Sequence, residues 1–503
     1  MKRLIYILIV AGLILSCEDP DSSKNAVYQN SRNDATFDNY SFNASMYSAE
    51  NGGYEGSEQY NEIEENPFIK TEDNNISTFS IDADGASYSN ARRFINQGTK
   101  PPKDAIRTEE MVNFFNYYYD EPETGQSISV NTELIVCPWQ AKHCLLRIGL
   151  KGKTINKKDL PPTNIVLLVD VSGSMSSSGK LDLLKESFEL LINNLREQDR
   201  IAIVTYAGNA GVALESVSGD QKFTILNVIK SLESGGSTAG AEGINTAYSI
   251  AADNFIENGN NRVILATDGD FNVGPSSQEE LIELIKEKRE SGIYLTILGV
   301  GTGNLNDALM EQTANNGNGT YEYIDSYKQA EKVFDHEYGK FYSVAKDAKI
   351  QVVFSNEVVE SYRLIGYENR LMENEDFEDD SKDAGEIGSG QTITALYEIV
   401  IKDSEVNNMA AVLLKYKMPL NNEIKTIENK VKSKYKLFKE ASDDTRFAAC
   451  VAAFSLKLRD SEYKGESSFD DIIQWSESSK GNDPFGYKSE FSDLVYKYTL
   501  IEE

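Results

Sequence analysis

Ile165-Val166-Leu167-Leu168-Val169-Asp170-Val171-Ser172-Gly173-Ser174 is the stretch on which the fold turns. An apolar run without alternation stops at an aspartate, and two serines follow, separated by a glycine. Such a run fits a strand buried on both faces, and helical periodicity from Leu181 to Leu195 comes after it. Arg200 to Tyr206, Arg262 to Thr267 and Tyr294 to Val300 hold further runs of this kind, with helical stretches between them. Buried runs alternating with helices require a parallel, doubly wound α/β sheet whose crossover helices cover both faces. Ligands bind such sheets beyond the carboxyl ends of the strands, where the polar residues of this segment stand.

Three polar clusters fall at those ends: Asp170-Val171-Ser172-Gly173-Ser174, Gly235-Gly236-Ser237-Thr238-Ala239 and Ala266-Thr267-Asp268-Gly269-Asp270. Two hydroxyls on a tight loop, a third from a facing loop and two carboxylates make an all-oxygen cage suited to a hard cation. This set resembles the metal-ion-dependent adhesion site of von Willebrand factor type A domains, over about Thr163 to Gly339. The resemblance implies that Ser172 and Ser174 bind the metal directly and that Thr238 does so in the ligand-ready state. Asp170 and Asp268 would act mostly through water, while Asp270 lies just outside the pattern. Mg²⁺ is the expected ion, with Mn²⁺ or Ca²⁺ as alternatives. Neutral hydroxyl ligands leave the ion's charge incompletely neutralised, so a partner protein's Asp or Glu is expected to complete the shell.

Outside this segment the period changes to two. Ile128, Val130, Thr132, Leu134 and Val136 share one strand face, and Leu146, Ile148 and Leu150 continue it. The same period returns in Ile350-Val352-Phe354, in Ile393 to Ile401 and in Ala410 to Met418. Strands of one kind flanking a middle of another predict a von Willebrand A-like domain inserted in a β-sandwich, with flanking helical segments. Helices are expected over Ser87 to Phe94 and Ile106 to Tyr118, divided by Pro101-Pro102. Asp82-Ala83-Asp84-Gly85 reads as a helix cap, since it lacks the later ligands of a calcium loop. The acids from Glu373 to Glu386 read as a solvated hairpin loop. Cys137 and Cys144 are either a disulfide across a turn or two buried thiols, and Cys450 reads as helix core.

Thr78 to Asp82 with Ala86 to Phe94, and Arg446 to Ala449 with Leu458 to Gly465, resemble the terminal extensions of a bacterial exported von Willebrand A protein family. At the amino end, Lys2 and Arg3 precede an apolar run from Leu4 to Leu15 that is too short to span a bilayer. Leu13-Ile14-Leu15-Ser16-Cys17 resembles a lipobox, so Cys17 is expected to carry the lipid that anchors the chain to a membrane of the cell envelope. From Glu18 to Asn75 there is no leucine, and thirteen acids face three bases, which predicts a disordered spacer. The expected division is a signal peptide at 1–16, the lipidated acidic linker at 17–75 and a helical extension at 76–122. The β-sandwich takes 123–160 and 344–437, the von Willebrand A domain 161–343 and a helical carboxyl-terminal region 438–503.

Eighty acidic against fifty basic residues give a net charge of −30, which repels phosphate backbones and excludes nucleic acid as a partner. Two histidines in the chain argue against histidine-based catalysis and histidine-rich metal sites. Gly173 to Lys180 misses the phosphate-loop spacing, and Leu181 stands where the magnesium-binding hydroxyl belongs. Ser177-Ser178-Gly179-Lys180 lacks the companion motifs of a penicillin-binding site. Gly299 to Gly303 reads as turn glycines. The expectation is a binding protein rather than an enzyme, with a metal-dependent hydrolase or a purely structural envelope scaffold as the alternatives.

Overall fold

The computed structural model describes residues 58–502 apart from 83, 208, 237–239 and 270–277. The signal segment, Cys17 and most of the acidic linker lie outside the described residues, as do Thr238 and Asp270.

Ahead of the insertion come β1 (Ile69–Lys70), β2 (Ile76–Ser80), α1 (Ala86–Asn96), α2 (Thr108–Asn113), β3 (Ile128–Val136) and β4 (Cys144–Gly152). The middle of the chain runs β5 (Thr163–Asp170), α3 (Leu181–Asn194), β6 (Arg200–Ala207), β7 (Asn209–Ser218), α4 (Lys222–Ser231) and α5 (Gly240–Asp253). It continues with β8 (Asn260–Thr267), α6 (Gln278–Arg289), β9 (Ile293–Val300), α7 (Asp307–Asn316), β10 (Tyr321–Ile324) and α8 (Tyr327–Glu331). Then follow β11 (Ser343–Phe354), β12 (Val359–Ile365), β13 (Leu371–Met372), β14 (Gly385–Gly388), β15 (Thr392–Ile401), β16 (Asn408–Lys417) and β17 (Ile424–Lys432). Helices α9 (Asp443–Leu458), α10 (Phe469–Ser479) and α11 (Tyr487–Glu502) complete the chain.

The middle segment forms a sheet in the order β10-β9-β8-β5-β6-β7, parallel except for β7, which runs antiparallel to β6. Every residue of β5 is buried, as the unbroken apolar run requires, with helices covering both faces. Strand β5 has β6 on one side and β8 on the other, so the chain reverses direction across the sheet at its carboxyl end.

The other strands form two antiparallel sheets, β1-β12-β15-β4-β3 and β13-β2-β11-β16-β17, with β14 paired to β11. Each sheet takes strands from both sides of the insertion, and alternate residues such as Leu146, Ile148, Ile350, Val352, Ile393 and Leu414 fill the space between them. The opposite face of the first sheet presents Ile135, Leu145 and Leu396 to a helical layer containing Phe115, Phe447, Phe454 and Phe491. The fold is therefore a von Willebrand A-like α/β domain within a β-sandwich, carrying helices on one outer face.

Several local expectations are corrected. The spacer expected as far as Asn75 contains β1, which is paired with β12, so order begins earlier than the lack of leucine suggests. Helix α2 stops at Asn113 rather than reaching Tyr118. The Asn113 side chain is claimed by the sandwich: its oxygen accepts from the Thr394 amide at 2.7 Å, and its amide donates to the Asp82 carbonyl at 3.1 Å and the Tyr367 hydroxyl at 3.0 Å. Helix α1 is capped by Gly85 with no side-chain hydrogen bond, so Asp82 and Asp84 are not its cap. Cys137 and Cys144 are free thiols. They lie on opposite faces of their sheet, Cys137 toward the helical layer and Cys144 toward the sandwich interior, and cannot be joined without turning a strand over. Cys450 is buried in α9 as expected.

Candidate metal centre

Strands β5 and β8 are parallel neighbours in register Val169↔Ala266, so Asp170, the last residue of β5, and Asp268, the first after β8, stand at adjoining strand ends. Both are fully buried. Asp170 turns back on its own loop: its Oδ1 accepts from the Ser172 amide at 2.8 Å, while Oδ2 accepts from Thr267 Oγ1 at 3.2 Å and the Tyr206 hydroxyl at 3.3 Å. That bond fixes the turn leading into the 3-10 helix Gly173–Ser176 and brings the Ser172 and Ser174 hydroxyls to 2.9 Å from each other. In an octahedron with metal–oxygen bonds of about 2.1 Å, adjacent oxygens are about 3.0 Å apart, so the pair already has the spacing of one edge.

The loop bearing Thr238 is clamped to this one on its near side. The Gly173 amide donates to the Gly236 carbonyl at 3.1 Å, and the Gly235 amide donates to the Val171 carbonyl at 2.7 Å. Gly236 and Gly269 both have positive φ, and a Cβ at Gly269 would strike the Asn306 amide and Leu305, so glycine is required where the Asp268 loop passes the start of α7.

Lys180 completes the site and was missed from sequence. Its ammonium donates to Asp268 Oδ2 at 2.8 Å and to Asn304 Oδ1 at 3.2 Å, and its stem occupies the space a side chain at Gly301 would fill. Burial pushes both aspartates up. For Asp170 it prevails over the Ser172 hydrogen bonds, whereas Lys180 and Ser174 hold Asp268 below the usual carboxylate range. Two carboxylates, one ammonium and a hydroxyl pair leave an oxygen-rich site short of positive charge, and hard divalent cations fit that donor set. A second acidic group, Asp82, Asp84 and Glu110, offers one oxygen from each residue within 4.8 Å of the others.

Three family models match successive stretches of the chain. The family model described as von Willebrand factor type A domain matches residues 164–336, one described as von Willebrand factor matches 54–147, and one for the carboxyl-terminal part of the uncharacterized protein YfbK matches 339–501. YfbK of Escherichia coli K12 is 40% identical over 468 residues, covering 88% of this chain and 81% of its own. The chain belongs to the YfbK family of bacterial von Willebrand factor type A proteins. Human inter-alpha-trypsin inhibitor heavy chain H3 is 28% identical over 175 residues, 33% of this chain and 19% of that protein. A solved von Willebrand factor type A protein from Catenulispora acidiphila is 14% identical with a TM-score of 0.42, covering 73% of this chain and 89% of that one. Von Willebrand factor type A domains mediate protein–protein contacts and often bind a divalent metal. Among the described residues of this YfbK-family chain, no helix is long and apolar enough to cross a membrane.

Proposed function

We propose that this YfbK-family chain is a membrane-anchored binding module that captures a partner's carboxylate through a divalent metal. Asp170, Ser172, Ser174, Thr238 and Asp268 would hold the ion, Mg²⁺ in preference to Mn²⁺ or Ca²⁺, and Cys17 would carry the lipid anchor in the cell envelope. The carrying observation is the hydroxyl pair at 2.9 Å beside two buried carboxylates at adjacent strand ends. Bound metal would supply a Lewis-acidic centre for an incoming oxygen. The chain's own residues then divide the work: Asp170 fixes the Ser172–Ser174 turn, and Lys180 keeps Asp268 ionised when no metal is there. The division into signal, linker, extension, sandwich, inserted domain and carboxyl-terminal helices is proposed with the boundaries given above, except that β1 and β2 belong to the sandwich sheets.

Affinity capture from detergent-solubilised envelope tests the reading, with Mg²⁺ or EDTA present and with Ser172→Ala as the paired variant. A protein retained in Mg²⁺ and lost under both other conditions is the expected result. Identical capture in all three would leave a tethered scaffold, and phosphoester or peptide turnover abolished by Ser172→Ala would favour a hydrolase.

A further inference from the structure

Where the amino-terminal segment, the inserted domain and the sandwich meet, Asp82, Asp84 and Glu110 converge, each at most 3% exposed. Ordinary pairing accounts for part of this charge. Arg370 donates to Asp82 Oδ2 at 3.0 Å, Arg107 donates to both Glu110 oxygens, and the Ser87 amide donates to Glu110 Oε2 at 2.8 Å. Asp82 Oδ1 accepts from the Asp84 amide at 3.0 Å, and Asp84 Oδ1 accepts from the Tyr321 amide at 3.1 Å.

Asp84 Oδ2 is different: it is buried and has no hydrogen-bond partner among the described residues. The guanidinium supply is already spread thin. Arg107 also serves Asp307 at 2.5 Å and Glu311 at 3.7 Å, so four carboxylates share Arg107 and Arg370. An unpaired buried carboxylate oxygen among other acids is strongly unfavourable unless a proton or a cation takes it up. A cavity of about 170 Å³ borders Asp82 and Asp84, with Asp383 and Glu386 among its acids and Arg262, Lys340 and Arg370 among its bases, and it leaves room beside Asp84 for an ion and its waters.

We propose that Asp82, Asp84 and Glu110 form a second divalent-cation site, separate from the one at the strand ends, which takes Ca²⁺. Calcium–oxygen bonds of 2.3–2.6 Å allow ligand oxygens to lie up to about 5 Å apart, and these three all lie within 4.8 Å of one another. The ion would join the segment preceding α1 to the inserted domain, because Asp84 also holds the first amide of β10.

Calcium titration calorimetry on the EDTA-stripped whole chain tests this, comparing the parent, Ser172→Ala, Asp84→Asn and the double variant. Asp84→Asn keeps the shape and the Tyr321 bond while removing one charge. The expected result is one fewer Ca²⁺ equivalent in each Asp84→Asn protein than in its matched partner, and a Ca²⁺-dependent rise in melting temperature that survives Ser172→Ala. Glu110→Gln should weaken the same equivalent at least tenfold, which keeps the test valid if Asp84→Asn folds poorly. Equal equivalents with and without Asp84→Asn, or a Ser172→Ala protein whose melting Ca²⁺ does not move, would overturn the second site. Failure of the strand-end site would instead appear as equal equivalents in the parent and Ser172→Ala.

Discussion

Lys180 supplies the positive charge at the strand ends, its ammonium 2.8 Å from Asp268 Oδ2. It lies 88 residues from Asp268 in sequence and follows a run of serines and glycine, a context that reads as solvated loop. Asp170, Ser172, Ser174 and Asp268 were legible because strand ends and fixed spacing place them; a contact made only by tertiary folding leaves no such pattern. Removing one partner of a buried ion pair strands the other, so Lys180→Met should cost about 3 kcal/mol in EDTA. Mg²⁺ should then raise its melting temperature more than the parent's, and equal Mg²⁺ responses in thermal unfolding would refute that role. Glu133 provides a pH test. Burial works to raise its pKa, but hydrogen bonds from Lys436, Ser442 and Thr445 hold it at about 2, against 4.5 ordinarily. Its stabilisation is complete above pH 4.5 and is lost as pH falls through 2. Glu133→Gln should cost about 1–2 kcal/mol at pH 7, allowing for solvent screening, and converge with the parent near pH 2 in urea midpoints.

Among the elements, the four buried runs became β5, β6, β8 and β9, since a continuous apolar run that must be covered on both faces has few other solutions. Two strands of that sheet were not anticipated. Strand β10 is only four residues long, and β7 carries register shifts against β6 that break its pattern. What seats β10 is Gly319, where a Cβ would overlap the Leu295 carbonyl of β9. Gly319→Ala should therefore destabilise by about 1–3 kcal/mol and speed amide exchange in β9 and β10 ahead of the rest of the sheet. Uniform protection across β5, β8, β9 and β10 in the variant would show that the close approach is dispensable. The overlong reading of α2 has a similar origin: Phe114 and Phe115 keep helical spacing in sequence, but Asn113 is held by the sandwich and ends the helix first.

At the scale of the molecule, the change from period two to unbroken runs and back made the insertion readable. The junctions were not readable, because they are built from charge pairs whose partners are far apart in sequence. Arg92 of α1 binds Asp325 at 2.6 Å, Arg107 binds Asp307 of α7, and Ala86 packs into the core of the inserted domain. Excised residues 161–343 should accordingly melt below the intact chain in calorimetry; an equal or higher transition would mean that these contacts add nothing to the domain. Leu160 and Tyr342 share one apolar cluster, so the chain leaves β4 and rejoins at β11 from neighbouring points, and those two strands belong to different sheets. Traction on the domain would thus be split at once between both halves of the sandwich, and neither sheet would have to unzip alone.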